Sequence, residues 1–331
     1  MDKIIISEKD AGQRLDKYLQ KRFPGAGKNL IYKFLRKKNI RLNGARSEGR
    51  DILSAGDEIE LRLSFDTISK LSYSATGGHA PGMAKTSGKA DTFHDLDRYC
   101  SIVYEDEDII MADKRAGVLS QKSKPGDISL NEVLLWHCGG TRESGFTPSI
   151  CNRLDFNTTG LISFAKNYAA GRALSDIFRD RRAEKYYLAV VIGSMEGEME
   201  VDAYLSKDSS GNRVSLSLDP KEGASHIMTS YEVLGRTSAC GMELSLLRVR
   251  LITGKTHQIR VHLAFLGYPI AGDPKYGDRK ANTVLRERMG IGTQLLHSHE
   301  LIMPDTGLGC LSRLAGKTFR AEPPKAISEL F

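Results

Sequence analysis

The sequence predicts an α+β protein: a small helix-helix-hairpin unit first, then a larger domain built on a mixed sheet flanked by helices. Three observations carry this expectation. Within the first 65 residues, apolar side chains recur at helical and then at strand spacing. After residue 97, strand and helix patterns interleave without strict βαβ regularity. Between the two lies a stretch almost free of large apolar side chains.

In the first unit, Leu15, Tyr18, Leu19 and Phe23 form one apolar stripe. Leu30, Ile31, Phe34 and Leu35 form a second, with Lys33, Arg36 and Lys37 on the opposite side. Ile40-Arg41-Leu42 runs into Asn43-Gly44, a hairpin turn signal, and Ile59, Leu61 and Leu63 alternate with charged residues as in a half-buried strand. The Gly, Ser, Thr, Ala and Lys of residues 67–96 read as a flexible linker between a small basic domain, 1–66, and a catalytic-sized domain, 97–331.

The larger domain opens with a hairpin, Ile102-Val103-Tyr104 and Ile109-Ile110-Met111. Ser129-Leu130-Asn131-Glu132 then reads as a capping box ahead of a helix. Strands are expected at Leu161–Ala165, Tyr187–Ile192, Met228–Val233, Leu244–Leu251 and Leu295–Ile302, and helices at Tyr168–Phe178 and His257–Leu266.

A length of 331 residues, with 40% hydrophobic and 27% charged, fits a globular chain of two domains. No apolar run approaches the ~18 residues that span a bilayer, and Met-Asp-Lys-Ile-Ile-Ile has no signal-peptide character, so a cytoplasmic protein away from membranes is expected. The five cysteines are scattered, without a C-x-x-C pair. The net charge is +7, and residues 1–65, with 15 Lys/Arg against 9 Asp/Glu, hold +6 of it. A basic region of this kind suits a polyanion, nucleic acid above all, because Lys and Arg displace counterions from phosphates.

Some apparent motifs lead nowhere. Gly254-Lys255-Thr256 and Gly316-Lys317-Thr318 resemble the tail of a phosphate-binding loop, but Val249 and Leu311 stand where its first glycine belongs. His257 and His262 are spaced i, i+5, off the single helical face that a zinc pair needs.

The segment Asn152-Arg153-Leu154-Asp155-Phe156-Asn157-Thr158-Thr159-Gly160 places a carboxylate in a polar, turn-prone loop ahead of an apolar strand. Read by itself, Asp155 could simply cap a turn. The segment is similar to the R-L-D-x-x-T-S-G signature of RluA-type pseudouridine synthases. Lys185-Tyr186-Tyr187-Leu188-Ala189 resembles their K-x-Y-x-A motif, and Thr253-Gly254-Lys255-Thr256-His257-Gln258-Ile259-Arg260-Val261-His262 their T-G-[RK]-T-H-Q-I-R-V-H motif, followed by Gly272-Asp273-Pro274-Lys275-Tyr276-Gly277. Residues 14–62 look like the S-four RNA-binding domain that precedes the catalytic domain in many members. Asn152 stands where His is common, Arg115 where Pro is common, and Thr159 where Ser is usual.

The resemblance implies a pseudouridine synthase catalytic domain and an isomerase that needs no cofactor and no metal. Asp155 would be its catalytic aspartate, as nucleophile or as base. Arg260 would keep that carboxylate ionised. Tyr187 would stack on the flipped uracil and accept the C5 proton, with Ile259 bordering the base and Arg153 filling the vacated stack or forming a salt bridge. Lys28, Lys33, Arg36, Lys37 and Arg41 would hold structured RNA through its phosphates. Large-subunit ribosomal RNA is the expected substrate, and a monomer the expected state. The competing readings are a transfer-RNA-directed synthase, a glycosylase, and an RNA-binding or ribosome-assembly factor whose catalytic domain is inert.

Overall fold

The computed structural model describes residues 2–64, 67–68, 71, 95–139, 146–207, 214–220 and 222–331. In the N-terminal part, helices Leu15–Arg22 and Lys28–Arg36 bury the predicted stripe. Leu15, Tyr18, Leu19, Phe23, Ile31 and Leu35 meet Ile40, Leu53, Ile59 and Leu61 in one core. The accompanying sheet has the order β1-β3-β2, with β1 at Asp2–Ile5, β2 at Ile40–Leu42 and β3 at Glu58–Leu61, paired antiparallel.

The sheet corrects the hairpin expectation. Asn43 and Gly44 do turn the chain, with φ of 50° and 75°, and Leu42 bridges Ala45. The pairing stops there, and β2 joins β3 instead. The intervening segment is drawn to the first helix, where Gly49 O and Asp51 O accept the Asp16 and Leu15 N–H groups at 2.9 Å. Those N–H groups have no partner inside their helix, so the loop satisfies them at the expense of a longer ladder. β1, Asp2-Lys3-Ile4-Ile5, has no alternation of apolar and polar residues and was not legible as a strand.

Ile68 and Leu71, which fall within the predicted linker, pack on this same core. The remainder of that stretch, 69–70 and 72–94, lies outside the described residues.

The larger sheet runs β10-β9-β11-β12-β8-β13-β7-β5-β4. Its strands are β4 Cys100–Glu105, β5 Ile109–Lys114, β7 Thr159–Ala165, β8 Glu184–Ile192, β9 Glu198–Lys207, β10 Val214–Ser217, β11 Ser225–Ala239, β12 Met242–Leu251 and β13 Leu296–Ile302. Two short strands attach at its flanks, β6 Ser149–Ile150 to β7 and β14 Thr318–Arg320 to β13. The β13–β7 pair is parallel and every other pair antiparallel, so the sheet is mixed.

β5 and β7 are apolar on both faces because both faces are covered. Ile109, Met111, Leu161 and Ala165 pack under helix Tyr168–Arg179, whereas Ile110, Ala112, Ile162 and Phe164 pack under helix Leu130–His137. A third core joins Tyr187, Ala189 and Val191 of β8 and Leu247 and Val249 of β12 to Ile259 and Leu263 of helix Gln258–Phe265.

Helix Leu130–His137 starts where expected, but not through a capping box. Ser129 Oγ donates to the Glu132 carboxylate instead of accepting a backbone N–H. β9 was missed by the sequence reading, although Met199, Val201, Ala203 and Leu205 alternate with acidic residues over most of it. Helix Arg279–Met289, capped by Asp278 on the Ala281 N–H, was missed as well.

The parallel contact between β7 and β13 depends on Gly160. It sits at φ +105°, and a Cβ there would lie 2.2 Å from Ser298 O. Gly160→Ala is expected to cost about 3 kcal/mol or more, from combined backbone strain and overpacking. Denaturant unfolding measures it; a midpoint equal to that of the parent would show that the strands can part without penalty.

Candidate active site

Asp155 occupies the loop between β6 and β7, in a turn closed by Thr158 N–H donating to Asp155 O at 3.1 Å. The loop is pinned from three sides. Asn152 Oδ1 accepts from Ser163 N and Oγ at 2.7 and 2.8 Å, which ties it to β7. Ser120 Oγ donates to Leu154 O at 2.7 Å and accepts the Leu154 N–H at 3.1 Å. Lys114, fully buried at the end of β5, donates its Nζ to the carbonyls of Arg115, Val118 and Phe156 at 2.9, 2.9 and 3.0 Å. Burial pushes its pKa down to about 7, against the pull of Asp155 and Asp113, while three carbonyl acceptors match the three donors of the ammonium form.

Arg260 approaches from helix Gln258–Phe265. Arg260 is itself only 5% exposed. Burial is tolerated because both ends of the guanidinium are occupied. Nη1 donates to Asp155 Oδ2 at 2.7 Å, and Nε and Nη2 donate to the two oxygens of Asp273 at 2.7 and 2.8 Å.

Asp273 is the group that sequence reasoning missed, although its segment had been singled out. It also accepts the Lys275 and Tyr276 N–H groups at 2.8 and 3.0 Å. Burial favours the neutral acid, but Arg260 and these amides hold its pKa below the usual carboxylate range. For Arg260 burial likewise opposes the charge, and the two carboxylates outweigh it.

The loop before the helix is held by Gln258. Its Oε1 accepts from Thr253 Oγ1 and Lys255 N at 2.9 and 3.1 Å, and its Nε2 donates to Met228 O and Thr229 Oγ1 at 2.9 and 3.0 Å. This orders the stretch Thr253–His257 and sets His257 beside Asp155, Nε2 to Oδ2 3.8 Å. His262 is buried elsewhere, its Nδ1 3.1 Å from Thr229 Oγ1.

Asp155, His257, Gln258 and Arg260 line a cleft of about 590 Å3, together with Arg153, Tyr187, Ile259 and Leu296, and Arg179, Arg181, Lys185 and Lys255 add further positive charge. The volume is that of an ordinary small-ligand site and would admit one nucleotide. Tyr187 on β8 is buried; burial, opposed by a hydrogen bond with Ser298 and aided by the Asp155 charge, pushes its phenol up to about 12. Arg153 is exposed and has no ion-pair partner among the described residues. Thus Asp155, Tyr187, Arg260, Ile259 and Arg153 all reach one cleft.

Lys28, Lys33, Arg36 and Lys37 are exposed and, among the described residues, unpaired. Arg41 is half-buried and donates to Gly44 O at 3.2 Å, which commits it to its own turn. No helix among the described residues is long and apolar enough to cross a membrane.

Asp273→Asn removes the charge that balances Arg260 and substitutes a donor for one acceptor oxygen. A stability loss of about 1–3 kcal/mol is expected. Thermal unfolding would report it, and an unaltered Tm would mean that Asp155 alone suffices to hold the arginine.

Residues 108–265 match the model of the RNA pseudouridylate synthase family. The chain is 31% identical over 316 residues to ribosomal large subunit pseudouridine synthase C of Escherichia coli (strain K12), covering 94% of this chain and 91% of that one. It is 30% identical to the protein of the same name from Vibrio cholerae, with 89% and 86% covered. Among solved structures, human RNA pseudouridylate synthase domain containing 1 is similar at a TM-score of 0.50 and 25% identity, over 70% of this chain and 94% of that one. Human RNA pseudouridylate synthase domain containing 4 shares the fold at a TM-score of 0.56 and 21% identity, over 72% and 95%. With its carboxylate, arginine and tyrosine gathered in one cleft on this mixed sheet, the chain belongs to the RluA-type family of RNA pseudouridine synthases, which are RNA isomerases.

Proposed function

We propose that this enzyme converts uridine to pseudouridine in structured RNA of the large ribosomal subunit, with Asp155 as the catalytic carboxylate. The observation that carries the reading is the array Asp273–Arg260–Asp155, in which Arg260 and Asp155 line the cleft and Asp273 is buried behind them. One oxygen of Asp155 is committed to Arg260, and no hydrogen bond among the described residues reaches the other, Oδ1. Ribosomal RNA is favoured because the bacterial relatives are named for it.

The reaction breaks the bond from uracil N1 to the ribose anomeric carbon, turns the base over and joins C5 to that carbon, releasing the C5 proton. It consumes no cofactor, and none of its steps calls for a metal. A carboxylate serves at the anomeric carbon by bonding to it or by stabilising a cationic sugar, as in glycoside hydrolysis. The base must leave the stack before its glycosidic bond can be reached. Tyr187 then stacks on it, its phenol kept protonated by burial, Ile259 borders it, and Arg153 fills the space it left.

The N-terminal unit acts as an S-four-type domain. Lys28, Lys33, Arg36 and Lys37 hold phosphates, and Arg41 supports the turn beside them. Residues 1–66 and 97–331 work as RNA-binding and catalytic domains of a cytoplasmic monomer.

In RNA from a strain lacking this protein, mapping of pseudouridines tests the reading. The parent protein is expected to restore modification at defined large-subunit uridines, and Asp155→Ala to restore none. Equal modification by both, or restoration confined to transfer RNA, would overturn the assignment of residue or of substrate respectively. Reversing charge at Lys33, Arg36 and Lys37 to Glu should weaken RNA binding at least about tenfold. It should also lower the salt slope by about one for each phosphate contact removed, whereas an unchanged slope would place the phosphates elsewhere.

A further inference from the structure

His257 combines three features that the roles assigned above leave unused. It holds a left-handed backbone, φ +57° and ψ 16°, at the residue before helix Gln258–Phe265. Residues with a side chain adopt that conformation at a cost, and such strain gathers at functional sites. Its ring is largely enclosed, with Nδ1 2.9 Å from the Tyr276 hydroxyl and Nε2 3.8 Å from Asp155 Oδ2. The Tyr276 ring meets it edge-on at 5.6 Å and lies 5.2 Å beneath the Arg260 guanidinium. The imidazole thus faces the same oxygen that Arg260 holds and leaves Oδ1 alone.

The carboxylate decides the tautomer. An ionised carboxylate only accepts hydrogen bonds, so for Nε2 to bond Asp155 it is Nε2 that carries the hydrogen. Nδ1 is then the lone-pair nitrogen, and it accepts from the Tyr276 O–H. The chain of donation runs from the Tyr276 hydroxyl to the His257 ring and from His257 Nε2–H towards Asp155. Fixing one ring nitrogen to orient the other is a common way of aiming a histidine.

Resting on the reading of Asp155 as the catalytic carboxylate, we infer that His257 is a positioning residue: held by Tyr276 as the neutral Nε2–H tautomer, it aims a second donor at Asp155 Oδ2 and turns Oδ1 towards the anomeric carbon. The present 3.8 Å gap closes as RNA fills the cleft, since catalytic hydrogen bonds are often long before substrate arrives.

The groups around the ring agree with a neutral form. Burial lowers the His257 pKa, as do Arg260 and Lys275, while Asp155 and Asp273 pull it up, and the net direction is downward. At low pH the ring gains a proton and becomes a cation against Asp155. That strengthens the hold on the carboxylate and lowers its reactivity, so kcat falls on the acid side as His257 protonates.

The test uses the full chain and the uridine-containing target RNA, following kcat and KM across pH. His257→Gly accepts the left-handed backbone without strain and so keeps the loop. Its kcat is expected to drop by roughly 10- to 100-fold while KM stays within about twofold. His257→Gln, which presents an amide N–H in place of Nε2–H, is expected to recover part of the loss and to lack the acid limb attributed to His257. Tyr276→Phe should lower kcat by a smaller factor. A kcat within about twofold of the parent in His257→Gly, a change confined to KM, or an acid limb unaltered in His257→Gln overturns the inference, and an unchanged kcat in Tyr276→Phe overturns the tautomer. Asp155→Ala runs beside them: activity surviving in that variant would show that the reading of the carboxylate failed, not that of the histidine.

Discussion

A guanidinium buried between two carboxylates is the constraint on which the site is built. Arg260 could not sit at 5% exposure without neutralisation, because an unpaired buried charge costs several kcal/mol. Asp273 neutralises it through Nε and Nη2, and that fork leaves Nη1 one direction to point, which is Asp155. The two acids are not equivalent. Asp273 is fully enclosed and saturated by Arg260 and two backbone amides, whereas the Asp155 side chain is 26% exposed at the cleft. The first acid is therefore structural and the second is available for chemistry.

The rest of the larger domain serves to bring these groups together from distant parts of the chain. Asp155 comes from the entry to β7, Arg260 from a helix beyond β12, and Asp273 from the turn after that helix. β7 and β8 flank β13 in the sheet, so the Asp155 loop and Tyr187 lie across one strand from each other. The close approach of β7 to β13 at Gly160 sets that spacing. The Asp155 loop itself is polar, and its buried carbonyls are satisfied by Lys114 and Ser120 instead of by a ladder.

The N-terminal residues and the larger sheet's flank meet through a few polar contacts. Ala169 N–H donates to Lys9 O at 3.2 Å, and the Tyr168 hydroxyl to Gly12 O at 3.4 Å. Lys21 Nζ lies 5.6 and 5.2 Å from the centres of the Phe146 and Tyr168 rings. Contacts of this kind orient the basic helix without spending its exposed lysines, which stay unpaired among the described residues.

The sequence by itself determined whatever depends on neighbouring residues. The amphipathic stripe from Leu15 to Phe23, the alternation around Ile59, the apolar runs of β7 and β8 and the helix carrying Arg260 were legible because side-chain period follows from local backbone geometry. The motifs naming Asp155, Tyr187 and Arg260 were legible for the same reason, being contiguous. Tertiary structure alone decided the partners. Asn43-Gly44 turned the chain as its chemistry demands, but β2 paired with β3 because the first helix drew the intervening loop to its free N–H groups. Asp273 emerged as the second ligand of Arg260, and His257 as the neighbour of Asp155, because a side chain's direction is settled by packing between segments far apart in the chain, which no local period encodes.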